Sequence, residues 1–189
     1  MFKEVADIKT ADMLNLPVPT AHYEAISVKP SEIQKEIVAS LAERAELVRN
    51  GTVDPTQDNM LKITNDGRKL ALDQRLIDPL LPDYEGSKIN ACIAEIIKTY
   101  EETADKKLTQ LVFCDLSTPD KSLKHLVEQI QEHGDKPLPY TNVYDDIAAK
   151  LIRHGVPVEE LAYIHDANTD IKEKGNYLNK VRNGSVNEF

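Results

Sequence analysis

Residues Leu111, Val112, Phe113 and Cys114 form a short, unbroken apolar run between a Lys106-Lys107 turn and the polar corner Ser117-Thr118-Pro119. Most other apolar residues recur at helical spacing, so this run is what commits the chain to a sheet. An apolar run of strand length between turn signals predicts a strand buried on both faces, the pattern of a parallel sheet covered by helices. Polar residues just past its C-terminal end then stand where open α/β sheets place ligand contacts.

Upstream the pattern is helical. Residues 1–30, punctuated by Pro17, Pro19 and Pro30, predict a surface arm with an extended piece near Tyr23, Ala25, Ile26 and Val28. Ser31 with Gln34 three residues on makes a capping box. Ile33, Ile37, Leu41, Ala45 and Val48 then paint one apolar stripe, closed by Gly51. After an Asp54-Pro55 turn, residues 58–78 predict a helix interrupted at Asn65-Asp66-Gly67, with Arg68, Lys69 and Arg75 pointing outward. Pro79 and Pro82 stop it. Ser87 caps the next helix, built on Ile89, Ile93, Ile96, Ile97 and Tyr100.

Downstream, Leu123, Leu126, Val127 and Ile130 mark a helix over residues 122–133. Asn142 caps another on Val143, Ile147 and Leu151, stopped by Gly155 and Pro157. Residues 161–164 predict a second strand, and Ile171, Leu178 and Val181 the inner side of a last helix. Two strands, each followed by helices, predict an α/β fold: an incomplete parallel sheet over residues 108–189 with helices on its faces, preceded by a mainly helical segment over residues 1–107. Two strands fall short of an ordinary sheet, so the expectation is a fragment whose sheet is completed by other residues.

The formal net charge of −9 opposes non-specific binding to nucleic acid by the isolated chain. Aromatic residues are too sparse for base-stacking platforms, at 5% and with no Trp. Cys92 and Cys114 read as buried small hydrophobes in a reducing compartment. No signal-peptide pattern and no membrane-length apolar run is present, which predicts a soluble, cytoplasmic protein without membrane contact. The histidines lack zinc-ligand spacing, so no metal site is expected.

Ser117 and Thr118 carry small hydroxyls that suit phosphate oxygens, or that cap a following helix. Asn168 and Thr169 are good N-cap residues, and an anion at that helix start is physically reasonable. Lys172 belongs to a basic last helix with Lys174, Lys180 and Arg182, whose charges spread around its circumference. His165 beside Asp166 offers acid–base chemistry without a nucleophile placed near it.

Several multi-residue blocks occur together and in order: Asp54-Pro-x-x-Asp-Asn-Met-Leu-Lys-Ile-Thr-Asn-Asp-Gly-Arg-Lys69, Leu72-Asp-x-Arg-Leu76, Gly86-Ser-Lys-Ile89, Gln110-Leu-Val-Phe-Cys-Asp-Leu-Ser-Thr118 and Ile164-His-Asp-Ala-Asn-Thr169. They resemble the second RecA-like lobe of Swi/Snf-like superfamily 2 helicases of phage and mobile-element type, often fused to an adenine-specific DNA methylase. The similarity covers most of the chain. It implies a lobe that pairs with an upstream ATP-binding lobe, contacts the DNA backbone, and supplies half of a composite site for ATP and magnesium in the intact parent. Within it, Ser117 and Thr118 are the implied DNA contacts, and Arg68, Lys69 and Lys88 are block-matching basic residues. Asn168, Thr169 and Lys172 are further candidates for nucleic-acid binding, with helix capping and a solvated face as the alternatives.

The departures bear equally on function. No Gly-x-x-x-x-Gly-Lys-Ser/Thr loop and no acidic magnesium box is present, and the blocks that follow Val181-Arg-Asn-Gly184 in such lobes are missing. The isolated chain is therefore expected to bind no cofactor, to lack catalytic residues and ATPase activity, and to bind DNA weakly or not at all. The alternative is a non-catalytic interaction module using the helical N-terminal half. A free-standing enzyme using His165 is a third, weaker reading.

Overall fold

The computed structural model describes residues 11–14, 20–119, 122–134, 136–165 and 187–188. Beyond the single turn α1 (Ala11–Leu14), residues 20–30 carry no regular secondary structure and lead to Ser31. The capping box forms as the sequence requires: Gln34 N–H donates to Ser31 Oγ at 3.0 Å, and Ser31 N–H donates to Gln34 Oε1 at 2.9 Å. Helix α2 (Glu32–Arg49) runs from this cap to Asn50, with Gly51 just beyond at φ 68°. That left-handed conformation is one glycine adopts without strain.

Ser31 also donates to Gln74 Oε1 at 2.7 Å, tying the cap to a distant turn. Ser31→Ala is expected to cost about 1–2 kcal/mol. Ser31→Thr should recover most of the loss in urea denaturation.

Helix α3 (Met60–Leu72) is capped by Asn59 and packs on α2 through Leu41, Ile63 and Leu70. The predicted interruption at Asn65-Asp66-Gly67 does not occur. Asp66 is held there by Arg44, whose guanidinium also pairs with Asp58. Gly67 lies beside Leu41, so a small residue suits the helix–helix approach.

The helix nevertheless stops sooner than expected, at Asp73, whose backbone is extended, and a 3-10 turn (Gln74–Leu76) follows. This break in helical phase turns Arg75 inward, to 6% exposure, against the expectation that it points to solvent.

A larger core joins helix α4 (Lys88–Thr103), helix α5 (Leu123–His133), helix α6 (Val143–Arg153) and residues 156–163. The stripes predicted for these helices are the ones buried: Ile89, Ile93 and Ile96; Leu123 and Leu126; Val143, Ile147 and Leu151. A 3-10 turn (Val158–Glu160) leads into β1 (Leu161–Ala162). Strand β1 pairs in parallel with β2 (Asn187–Glu188), Leu161 opposite Asn187 and Ala162 opposite Glu188.

The expected α/β fold is corrected by this architecture. The described residues are mostly helical and form no RecA-like parallel sheet, only a pair of two-residue strands and a single bridge residue at Leu111. Within residues 161–164 the strand ends at Ala162, and Ile164 and His165 lie in a 3-10 turn.

The central apolar run is not buried on both faces. Val112 and Cys114 pack against the larger core, whereas Leu111 is 53% and Phe113 87% exposed. The segment is extended, so its side chains alternate, and only one set meets the helices. It lies along them as a strap: Gln110 Nε2 donates to Ile96 O at 3.0 Å, and Tyr144 Oη donates to Cys114 O at 3.0 Å. The helices bury their stripes against one another, and this run provides one covering edge.

No described helix is long and apolar enough to cross a membrane. The last predicted helix lies outside the described residues.

Candidate functional site

The corner after the extended strap is built by α6. Its first N–H groups lack intrahelical acceptors and must be satisfied from outside. Asn142 Oδ1 accepts from Asp145 N–H at 2.9 Å, and Ser117 Oγ accepts from Val143 N–H at 3.1 Å. Ser117 is thus half-buried and fixed against a helix start, while Thr118 beside it is exposed.

Arg68 reaches this corner from α3: its Nη2 lies 3.2 Å from Asp115 Oδ2, joining two of the sequence blocks across 47 positions. Both groups are well exposed, and the pair adds little stability. Lys69 is half-buried in the last turn of α3. Lys88, the first residue of α4, lies instead on a groove with Val28, Leu70 and Ser87. Asn168, Thr169 and Lys172 lie outside the described residues, as does Asp166. His165 is exposed and meets Tyr144 edge-on, ring centroids 5.7 Å apart.

A second constellation surrounds Arg75, beside a cleft of about 440 Å³. The guanidinium donates to Asp73 at 2.7 and 3.0 Å and forms a two-pronged pair with Asp146 at 2.8 and 3.1 Å. Asp83 stands 3.4 Å away, and Lys150 bonds both Asp83 and Asp146. The Tyr140 ring covers the guanidinium carbon at 4.2 Å. These groups come from the turn after α3, the loop before α4, the loop before α6 and α6 itself, so the cluster pins the two cores together.

Its electrostatics favour structure over chemistry. Burial works against the Arg75 charge, but the hydrogen bonds to Asp73 and Asp146 outweigh it and hold the guanidinium above its ordinary range. Burial, reinforced by Asp73, pushes the Tyr140 phenol up, so it stays protonated at neutral pH. Among the described residues no group of His, Cys, Asp and Glu side chains is arranged to hold a metal ion.

Burial pushes the Asp83 carboxyl up, but the hydrogen bond from Lys150 and the nearby Arg75 charge outweigh it and leave it below its usual value of 3.8. A depressed carboxyl stabilises the fold above its unfolded pKa, and that stabilisation is lost as pH falls through the folded pKa. Thermal midpoints should therefore drop on acidification below about pH 4, and less steeply in Asp83→Asn. Equal slopes would show that Asp83 has no share.

The chain matches no protein-family model, no curated protein and no solved structure. Sequence reasoning missed the Arg75 cluster because helical phase assigned Arg75 to solvent. The Asp73-x-Arg75 spacing after a helix, with acidic residues at 83 and 146, was the available signal.

Proposed function

We propose that the chain is part of an ATP-dependent DNA helicase or translocase, to which it contributes contacts with the DNA backbone and half of a composite ATP site. The observation that carries this reading is the ordered set of sequence blocks from Asp54 to Thr169. It is supported by the meeting of two of them at Arg68 and Asp115, beside the Ser117-Thr118 corner. Small hydroxyls and an arginine gathered at a loop are groups that hold phosphate oxygens. The reading rests on these blocks and this corner, not on a sheet.

Hydrolysis belongs to the intact motor, since this chain carries no phosphate loop. Binding to a short DNA duplex, followed by fluorescence anisotropy from low to moderate salt, tests the reading. Expected is weak binding that falls with salt and is reduced by Thr118→Val and by Arg68→Ala without loss of helical circular dichroism. Binding that does not fall with salt, or binding indifferent to both changes, would defeat the proposal.

A further inference from the structure

A groove of about 270 Å³ runs between α2, α3 and the start of α4. Its walls are Val28, Pro30, Val38, Leu70 and Ala71, with Gly67, Gly86 and the polar Gln34 and Ser87 completing the lining. Two charged residues line it, Lys29 and Lys88, and no carboxylate does, in a chain of net charge −9. Three cations elsewhere are neutralised: Arg44 by Asp58 and Asp66, Arg75 by Asp73 and Asp146, and Lys150 by Asp83 and Asp146. Lys29 and Lys88 are exposed and carry no ion pair among the described residues. Val38, on the groove wall, is 56% exposed.

We propose that this groove docks a peptide segment of a separate protein, one that inserts a branched apolar side chain between flanking carboxylates. The apolar walls take the side chain, and Lys29 and Lys88 take the charges on either side. An apolar floor with charge confined to the rim is the arrangement of helix- and peptide-binding grooves. A nucleic-acid backbone fits it less well, because most of the lining is apolar and the Gln34 amide already donates to Leu70 O. The site goes beyond the motor reading and stands on the groove alone.

The test uses the full chain and a labelled peptide carrying two leucines flanked by aspartates. Control peptides carry lysines for the aspartates or serines for the leucines. Expected is saturable binding of the acidic leucine peptide, weakened about tenfold or more in either control, a loss equivalent to 1.4 kcal/mol or more. Lys29→Glu combined with Lys88→Glu should abolish binding of the acidic peptide and confer binding of the lysine peptide. Glutamate at position 88 also suits the first turn of a helix, so this variant should fold. Ala71→Leu, which fills the groove from an exposed position, should weaken binding of both charge types.

Equal binding of acidic and lysine peptides would overturn the proposal, as would indifference to the double charge reversal. So would a DNA duplex that displaces the peptide while binding more tightly. Concentration-dependent self-association relieved by Ala71→Leu would assign the groove to a second copy and overturn it too.

Discussion

Arg75→Met is expected to destabilise the chain by about 3–5 kcal/mol, enough to consume much of the stability of a domain of this size. The change leaves Asp73, 1% exposed, without its counter-charge, and removes both prongs from Asp146. Urea denaturation should show a lower midpoint with an unchanged slope. The sign of the double variant discriminates between causes. Asp73→Asn combined with Arg75→Met should recover a large part of the loss, because the penalty comes from stranding one buried charge rather than from losing the pair. A double variant as unstable as Arg75→Met alone would mean that the Arg75 stem and its stacking on Tyr140 dominate instead.

Leu151→Ala is expected to cost about 2–5 kcal/mol. Leu151 is completely buried on α6, among the side chains that join α4, α5 and residues 156–163, so its removal leaves a void that rigid neighbours fill incompletely. Because α6 also holds Ser117 at its first N–H and Cys114 through Tyr144, the loosening should reach the extended strap. Hydrogen exchange would then rise at residues 110–117 as well as in α6. A rise confined to α6 would show that the strap is anchored independently.

The helices were legible because their signals are local and redundant. Ser31 with Gln34, Ser87 and Asn142 each cap the helix that the apolar period assigned to them. Strand character was not legible in the same way. Whether Leu111 and Phe113 are covered depends on which elements lie beside them, and nothing within the tetrapeptide specifies that. A continuous apolar run is compatible with two buried faces and equally with one, and the structure shows one. Arg75 failed for a related reason: the extended backbone at Asp73 and the 3-10 turn that follows it rotate everything after them out of phase with α3. The candidate site was half-legible. Arg68 and Ser117 were singled out separately, but the ion pair that draws their segments together spans too much chain for any spacing rule.

The outward set of the strap has a practical consequence for anyone handling the protein. Phe113, at 87% exposure, stands with Leu111 on a segment free of charge and proline from Leu111 to Cys114. Such a stretch is the kind from which intermolecular cross-β stacking starts when chains are crowded. At high concentration, aggregation is therefore expected to start at this ribbon, and replacing Phe113 by lysine should delay it in light scattering without changing the thermal midpoint.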